Sequence, residues 1–565
     1  MKEILKPSKI VFIAQNQPLD NHAHLIKKFA DAEDRASRQA SRFTGLDLPA
    51  LQKAVHRNIR DSLLFLDGRY MDLLDLMNYV KNGRSFPEIT PSNVNQRHSL
   101  ANTVTLNGIY FYQYLSRHGF EPVIIQNYAT CNISDFLGED TLAVCISSNF
   151  IFMNDIKEIA EQIKEIAPEI PVIAGGMLVK KVLDAGEHFS KKTLDYLREY
   201  HGKIDAFVIE AMGEETLVKL LQCMRSGSEL SRVPNVAYFD SHGDLAFTPR
   251  EKEQVHMDQT AILWDGIPER YLRSTLPLNS SRGCFYRCRF CTYHWLFPEV
   301  HYKTIPVLRE ELRKIGKLGF VKHVRFTDDN FTANKARVKE VLKMMIREKF
   351  GFTWSSFARA GALTPDLVEL MKESGCEFVD LGLESGSQTI LDKMDKRLKR
   401  EQSLDAIKML NDQGIVSRGS FIIGYPGETE KTFEETIHFI GESGLPYYHP
   451  YVFYYTGNTL VHGEKDSLGL KGLGLAWKHH TMDSGEASLL LSQMVPRLEN
   501  SYTDGYAYVE EIFKLLRGEG YAPEEIRELF KLKRRLQLEV KESTGGHGRT
   551  EKIEKIFSDL KRTVK

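Results

Sequence analysis

Residues 278–295 read LNSSRGCFYRCRFCTYHW, and three of the seven cysteines, Cys284, Cys288 and Cys291, fall inside this stretch. The C-x3-C-x2-C spacing puts three thiols on one short loop, just after an apolar segment that opens a series of strand-like and helix-like segments. Three thiolates held that closely can ligate three irons of a [4Fe–4S] cubane and leave the fourth iron without a protein ligand. A zinc site with His294 as fourth ligand is the competing reading, but zinc ligands usually come as two separated pairs with a longer histidine spacing. A three-cysteine loop feeding a βα series favours the cluster.

Downstream, the candidate strands are LNSSRG (278–283), HVRFTDDN (323–330), FTWSSFARA (352–360), FVDLGLES (378–385), VSRGSFIIGYP (416–426) and YYHPYVFYY (447–455), with amphipathic helices between them. Six such units predict an open partial (β/α)6 TIM barrel, whose chemistry belongs at the C-terminal strand ends. Upstream, Lys9–Ala14 and the runs EPVIIQ (121–126), LAVCISS (142–148), PVIAGG (171–176) and DAFVIE (205–210) alternate with helical patterns. Their apolar runs are too continuous for a sheet with one wet face, so a Rossmann-like parallel sheet is expected. The fold class is thus α/β. Residues 1–250 form the Rossmann-like domain with a helical insertion near 20–98, and 251–271 a linker. The barrel spans 272–456 and a helical region 457–565. The basic run Lys531, Lys533, Arg534 and Arg535 reads as a solvated helix face, because nothing aromatic interleaves it.

Of the 565 residues, 42% are hydrophobic and 27% charged, the balance of an ordinary globular protein, and the length calls for two or three domains. Lys plus Arg total 75 against 76 Asp plus Glu, so no global field attracts nucleic acid. With no long apolar run and few cysteines, the expectation is a cytoplasmic chain without a membrane span, its thiolates used as ligands rather than in disulfides.

The cysteine triplet and the strand-end motifs downstream of it resemble the radical S-adenosylmethionine (SAM) superfamily, over roughly residues 272–456. Phe290 matches the aromatic that packs near adenine. Phe326–Phe331 (FTDDNF) resembles the motif that orients the SAM amino group, with either Asp328 or Asp329 as acceptor. Arg359 matches a basic residue that pairs with the SAM carboxylate. Glu384, followed by Ser385, matches the acidic residue that meets the ribose or methionine part, and Gly424 lies in the motif that packs against adenine. The bland readings are an N-cap for one aspartate and a surface ion pair for Arg359.

In the domain ahead, Ser147, Ser148 and Asn149 end one strand, Gly175 and Gly176 the next, and Gly213 and Glu214 another. Small residues there leave room for a bulky ligand, and the absence of G-x-G-x-x-G after a strand disfavours a nicotinamide cofactor. The arrangement resembles the cobalamin-binding domain of one radical SAM class that includes many methylases. Asp20–Leu25 (DNHAHL) starts like a cobalt-ligating histidine motif but has Leu25 where glycine is required, and is read as a decoy. The insertion around LDGRYMDLLDLMNYV and the segment WKHHTMDSGEA weakly resemble the phosphinothricin-type P-methyltransferase branch. In that segment Trp477, His479, His480, Thr481 and Asp483 are assigned packing, capping or functional roles alike.

The resemblance implies a [4Fe–4S] cluster, SAM and cobalamin as cofactors, and methyl transfer to an unactivated carbon or to phosphorus of a small molecule or peptide. It also implies a reductant such as flavodoxin or ferredoxin. The rivals are a cobalamin-bound enzyme that performs a cyclisation, rearrangement or oxidation, and a non-catalytic zinc or ligand-binding protein. The aromatic run Tyr447–Tyr455 is expected either to face a ring-containing substrate or to pack in the core.

Overall fold

Seven short strands build the front sheet: β1 (Ser8–Ile13), β2 (Phe120–Ile125), β3 (Thr141–Ser147), β4 (Val172–Gly175), β5 (Ala206–Val208), β6 (Val236–Phe239) and β7 (Leu245–Phe247). In this computed structural model, which describes residues 8–17, 63–86, 89–91, 93–184, 191–253, 256–504, 509–543 and 551–565, their order is β2-β1-β3-β4-β5-β6-β7. The first five run parallel, and β6 and β7 extend the sheet antiparallel. Val11, Ile13, Val144, Ile146, Val172 and Ala174 form one apolar layer and Ile10, Phe12, Ala143 and Cys145 the other. Both faces are therefore covered, as the continuous apolar runs require. The winding reverses between β1 and β3, and in such sheets ligands seat beyond the C-terminal strand ends at that point.

The second sheet is six parallel strands in chain order: β8 (Thr275–Leu278), β9 (His323–Phe326), β10 (Thr353–Ala358), β11 (Cys376–Glu384), β12 (Val416–Ile423) and β13 (Tyr447–Val452). Helices between them start on side-chain caps where the sequence supplies one. Asn334 accepts from the Arg337 amide and Thr429 from the Thr432 amide. The N-terminal end of the sheet is closed by helix Val509–Gly518. Its Glu510 pairs with Arg325 of β9 and Arg418 of β12, both of which also pair with Asp380 of β11. Arg517 reaches Glu377 at 2.7 Å. These ion pairs tie the helix to the N-terminal halves of the barrel strands. Helices Leu73–Lys81, Pro523–Ser543 and Glu551–Thr563 share a further core with Phe378 and Tyr447.

Several local expectations change. Within the helical insertion expected near 20–98, residues up to 62 lie outside the described residues, and Asp20–Leu25 with them. The described part contains a hairpin, Leu64–Leu66 with Arg69–Met71, turning on Asp67 (φ 50°) and Gly68 (φ 77°). An Asp-Gly pair with both φ positive favours a tight turn over a helix. The first barrel strand lies a few residues earlier than LNSSRG, and Ser281–Arg282 instead pairs antiparallel with His301–Tyr302. Lys533 is not on a solvated face: it is buried and paired with Asp504. Among the described residues, no helix is long and apolar enough to cross a membrane.

Candidate active site at the barrel mouth

The cysteine loop is the tip of the hairpin that Ser281–Arg282 and His301–Tyr302 close. At its base Gly283 has φ +97°, and a Cβ there would lie 2.3 Å from the Glu299 carbonyl oxygen, so the legs can meet only over glycine. Cys288 is buried, and the Cys291 amide donates to its carbonyl at 3.0 Å. The tip is fastened from outside. The Arg289 amide donates to the Met394 carbonyl at 2.9 Å, the Val461 amide to the Arg289 carbonyl at 3.0 Å, and Arg289 pairs with Glu464 at 2.7 Å. Burial pushes the Cys291 thiol up to about 11 and raises Cys284, and the neighbouring thiols add to both shifts. Thiolates here need a cation to neutralise them, which is what cluster irons provide. Among the described residues no three His, Cys, Asp or Glu side chains converge as a ready-made metal cage. The donor set, three thiols on a pinned loop, is nonetheless of the type that Fe–S clusters take.

The ends of β9 to β12 surround this loop. Asp328, left open with Asp329 at the sequence level, is fully buried and accepts from the Ser280 amide (2.9 Å), the Ser280 hydroxyl (2.7 Å) and the Ser281 hydroxyl. Asp329 accepts from the Gly283 amide at 2.7 Å and from the Tyr293 phenol. Burial raises its carboxyl to about 6. Both aspartates therefore brace the hairpin. Asn330, which the sequence reading did not single out, bonds to the Cys284 thiol.

Arg359 lies over the Tyr286 ring (3.8 Å to the centroid), with Nη1 3.9 Å from Cys288 Sγ. Its Nη2 is buried and has no hydrogen-bond partner. A buried guanidinium with an idle nitrogen beside the cluster loop fits a carboxylate, which the planar fork binds best. Glu384 ends β11 in a left-handed conformation and pairs with Lys396 at 2.7 Å. Ser385 is turned instead to Thr436 and to the Ser387 amide. Phe290 is half-buried, with Lys396 Nζ 5.7 Å from its ring centre.

Gly424 follows β12 with φ +87°, and a Cβ there would come within 2.5 Å of Trp477. That contact accounts for the polar cluster at 477–483. Trp477 is fully buried, donates to the Phe453 carbonyl at 2.6 Å and stacks on His479. The His479 Nδ1 accepts from Thr481, so its Nε2 donates to the Gly424 carbonyl at 3.0 Å. His480 is exposed, and Asp483 caps helix Ser484–Ser492. Tyr447 packs on Phe378 and Phe530 in the core, whereas Tyr454 is exposed.

The front sheet meets this mouth with its C-terminal edge. The Asn107 amide donates to the Ser147 hydroxyl (2.8 Å), Ser148 Oγ accepts from the Val179 amide (3.0 Å), and Asn149 Oδ1 accepts from the Met177 amide (3.0 Å). Gly176, φ +109°, leaves no room for a Cβ against Ser148 and Asn149. A Cβ on Gly213 would sit 2.4 Å from Val208 Cγ1. Glu214 binds Arg282 of the cysteine hairpin at 3.1 Å, Met212 Sδ lies 3.0 Å from the same guanidinium, and Lys180 lies 5.2 Å from the Trp295 ring centre. Arg282 thus joins the two halves, a role that its position beside Gly283 gave no sign of.

Comparison with known proteins agrees with this geometry. Residues 278–440 match the family described as the Radical SAM superfamily. An uncharacterized methyltransferase of Pyrococcus horikoshii is 31% identical over 251 residues, 43% of this chain and 54% of the relative. An anaerobic magnesium-protoporphyrin IX monomethyl ester cyclase of Rubrivivax gelatinosus is 27% identical over 285 residues, 48% of this chain and 49% of the relative. The chain thus spans about half the length of these curated relatives. The radical SAM methyltransferase TsrM of Kitasatospora setae, solved with cobalamin and a [4Fe–4S] cluster bound, superposes with a TM-score of 0.58 at 14% identity, over 78% of this chain and 97% of that one. This last likeness is one of fold. The part of the barrel that carries Cys284, Cys288 and Cys291 thus matches a radical SAM domain.

Proposed function

We propose that this chain is a cobalamin-dependent radical SAM methyltransferase. The observation that carries the reading is the apposition of the two halves: the C-terminal edge of the front sheet, with Ser147–Asn149, Gly175–Gly176 and Gly213, is joined to the cysteine hairpin through Glu214 and Arg282. A flat, bulky cofactor seated at that edge would lie over the barrel mouth. When bound, the cluster would supply the electron that cleaves SAM, and cobalamin the methyl group that is passed on.

The chain's own residues then bind, orient and exclude water. Cys284, Cys288 and Cys291 would hold three irons. Arg359 would fix the SAM carboxylate with its idle Nη2, Glu384 would meet the ribose or methionine part, and Phe290 and Gly424 would flank the adenine. Asp328 and Asp329 keep the hairpin at its distance from β9. Seating the front domain on the mouth shields the radical from water, the main task of a protein around such chemistry. We further propose a small-molecule or peptide substrate, an external reductant of the flavodoxin or ferredoxin type, and a cytoplasmic location.

The cyclase relative supports a second reading, in which the same two cofactors drive a cyclisation without methyl transfer. Protein purified without oxygen and offered hydroxocobalamin distinguishes them. The expected result is cobalt near one and iron near about four per chain, with S-adenosylhomocysteine formed beside 5′-deoxyadenosine. 5′-Deoxyadenosine without S-adenosylhomocysteine would select the cyclase-type reading, and iron without cobalt would exclude both.

A further inference from the structure

Glu384 and Lys396 form an ion pair whose side chains are only 11% and 8% exposed, with Nζ 2.7 Å from Oε1. The backbone around it is unusual on both sides. Glu384 (φ +67°), Asp395 (φ +46°) and Arg397 (φ +50°) are three of the seven non-glycine residues with positive φ among the described residues. Such conformations are sterically unfavourable for L residues, and they persist where the surroundings over-determine them. Beneath the pair lies Gly382, where a Cβ would be 2.7 Å from Glu384 Oε1 and 3.1 Å from Lys396 Nζ, so that the pair occupies space only a glycine vacates. The lysine's segment also touches the cysteine hairpin, through the Arg289 amide on the Met394 carbonyl and the Phe290 ring near Nζ.

A buried ion pair is weak evidence for stability, since apolar residues of like volume often serve as well. Distorting the chain on both sides and clearing a side chain from below suits a positional requirement better. We propose that Lys396 is a positioning residue for SAM, and this rests on the reading of the barrel mouth given above. Its ammonium occupies Oε1 and leaves Oε2 for the hydroxyl or ammonium groups of the ligand. Because the same lysine lies against Phe290, it sets the distance between that carboxylate and the cluster loop.

The test uses the full chain carrying its cluster, with equilibrium binding of labelled SAM and the electron paramagnetic resonance of the reduced cluster as readouts. Lys396→Met is expected to weaken SAM binding about tenfold to a hundredfold while iron content stays unchanged, and Lys396→Arg to restore it to within about threefold. Removing Lys396 leaves Glu384 buried without a partner, so Glu384→Gln and the double variant Glu384→Gln/Lys396→Met are measured alongside. If Lys396 acts through Glu384, the double variant binds SAM within about threefold of Glu384→Gln. A further tenfold loss in that background, or wild-type SAM binding by Lys396→Met, would overturn the proposal. Failure of the wild-type protein, with full iron content, to bind SAM would instead reject the reading of the barrel mouth.

Discussion

Neutralising Glu214 should release the cysteine hairpin from the front sheet, because this carboxylate is the partner that Arg282 has there. The pair is 3.1 Å apart, with side chains 6% and 19% exposed. At that separation and an effective dielectric near 20, the attraction is about 5 kcal/mol, offset in part by the desolvation of both groups. Removing one partner leaves the other charge buried and uncompensated, which costs about 3–5 kcal/mol; the residual exposure of Arg282 puts this case near the lower figure. The assay is native-state hydrogen exchange of peptides covering 206–226 and 278–300 in wild type, Glu214→Gln, Arg282→Met and the double variant. Exchange follows local opening, so each single variant should accelerate it in both peptides by about a hundredfold, and the double variant by little more than either single one. Single variants within about threefold of wild type, or effects that multiply in the double variant, would refute the idea that this pair couples the two halves.

Arg359→Lys keeps the charge but loses the fork, and should weaken SAM binding about tenfold or more without changing iron content, as equilibrium binding would show. Gly424→Ala places a methyl group 2.5 Å from Trp477 at φ +87° and should cost about 1–3 kcal/mol, measured by chemical denaturation, while the accompanying Trp477→Phe should recover part of it. Glu428, which accepts from the Gly424 and Tyr425 amides, is raised by burial from the usual carboxyl value to about 7. Because its folded-state value lies above the unfolded one, its stabilising contribution is complete below about pH 4.5 and is lost as pH rises through about 7. Thermal unfolding between about pH 5 and pH 8 should therefore decline more steeply in wild type than in Glu428→Gln; equal slopes would show that Glu428 does not titrate in this range.

The cysteine spacing and the order of the strand-end motifs were legible in the sequence because they are local. Three thiols within eight residues share a loop in any fold, and apolar runs separated by amphipathic stretches fold as βα units wherever they occur. The same holds for Asp328, Asp329, Arg359 and Glu384, each at or just beyond a strand end. What local pattern could not give was the partner of each group. Asp328 and Asp329 look alike in sequence, yet one is enclosed by Ser280 and Ser281 and the other by Gly283 and Tyr293. The polar cluster at 477–483 left packing, capping and functional roles open in the sequence, and the structure shows Trp477 and His479 packed on Gly424. Lys533 looked solvent-facing because helical periodicity does not reveal a buried carboxylate such as Asp504 on another segment. The pairings Lys396–Glu384, Arg325–Asp380 and Arg282–Glu214 join residues 12, 55 and 68 positions apart. Sequence alone therefore determined the residue types and the order in which the barrel presents them. Tertiary structure alone decided which charges neutralise one another, because at such separations partners are chosen by packing and desolvation, not by proximity along the chain.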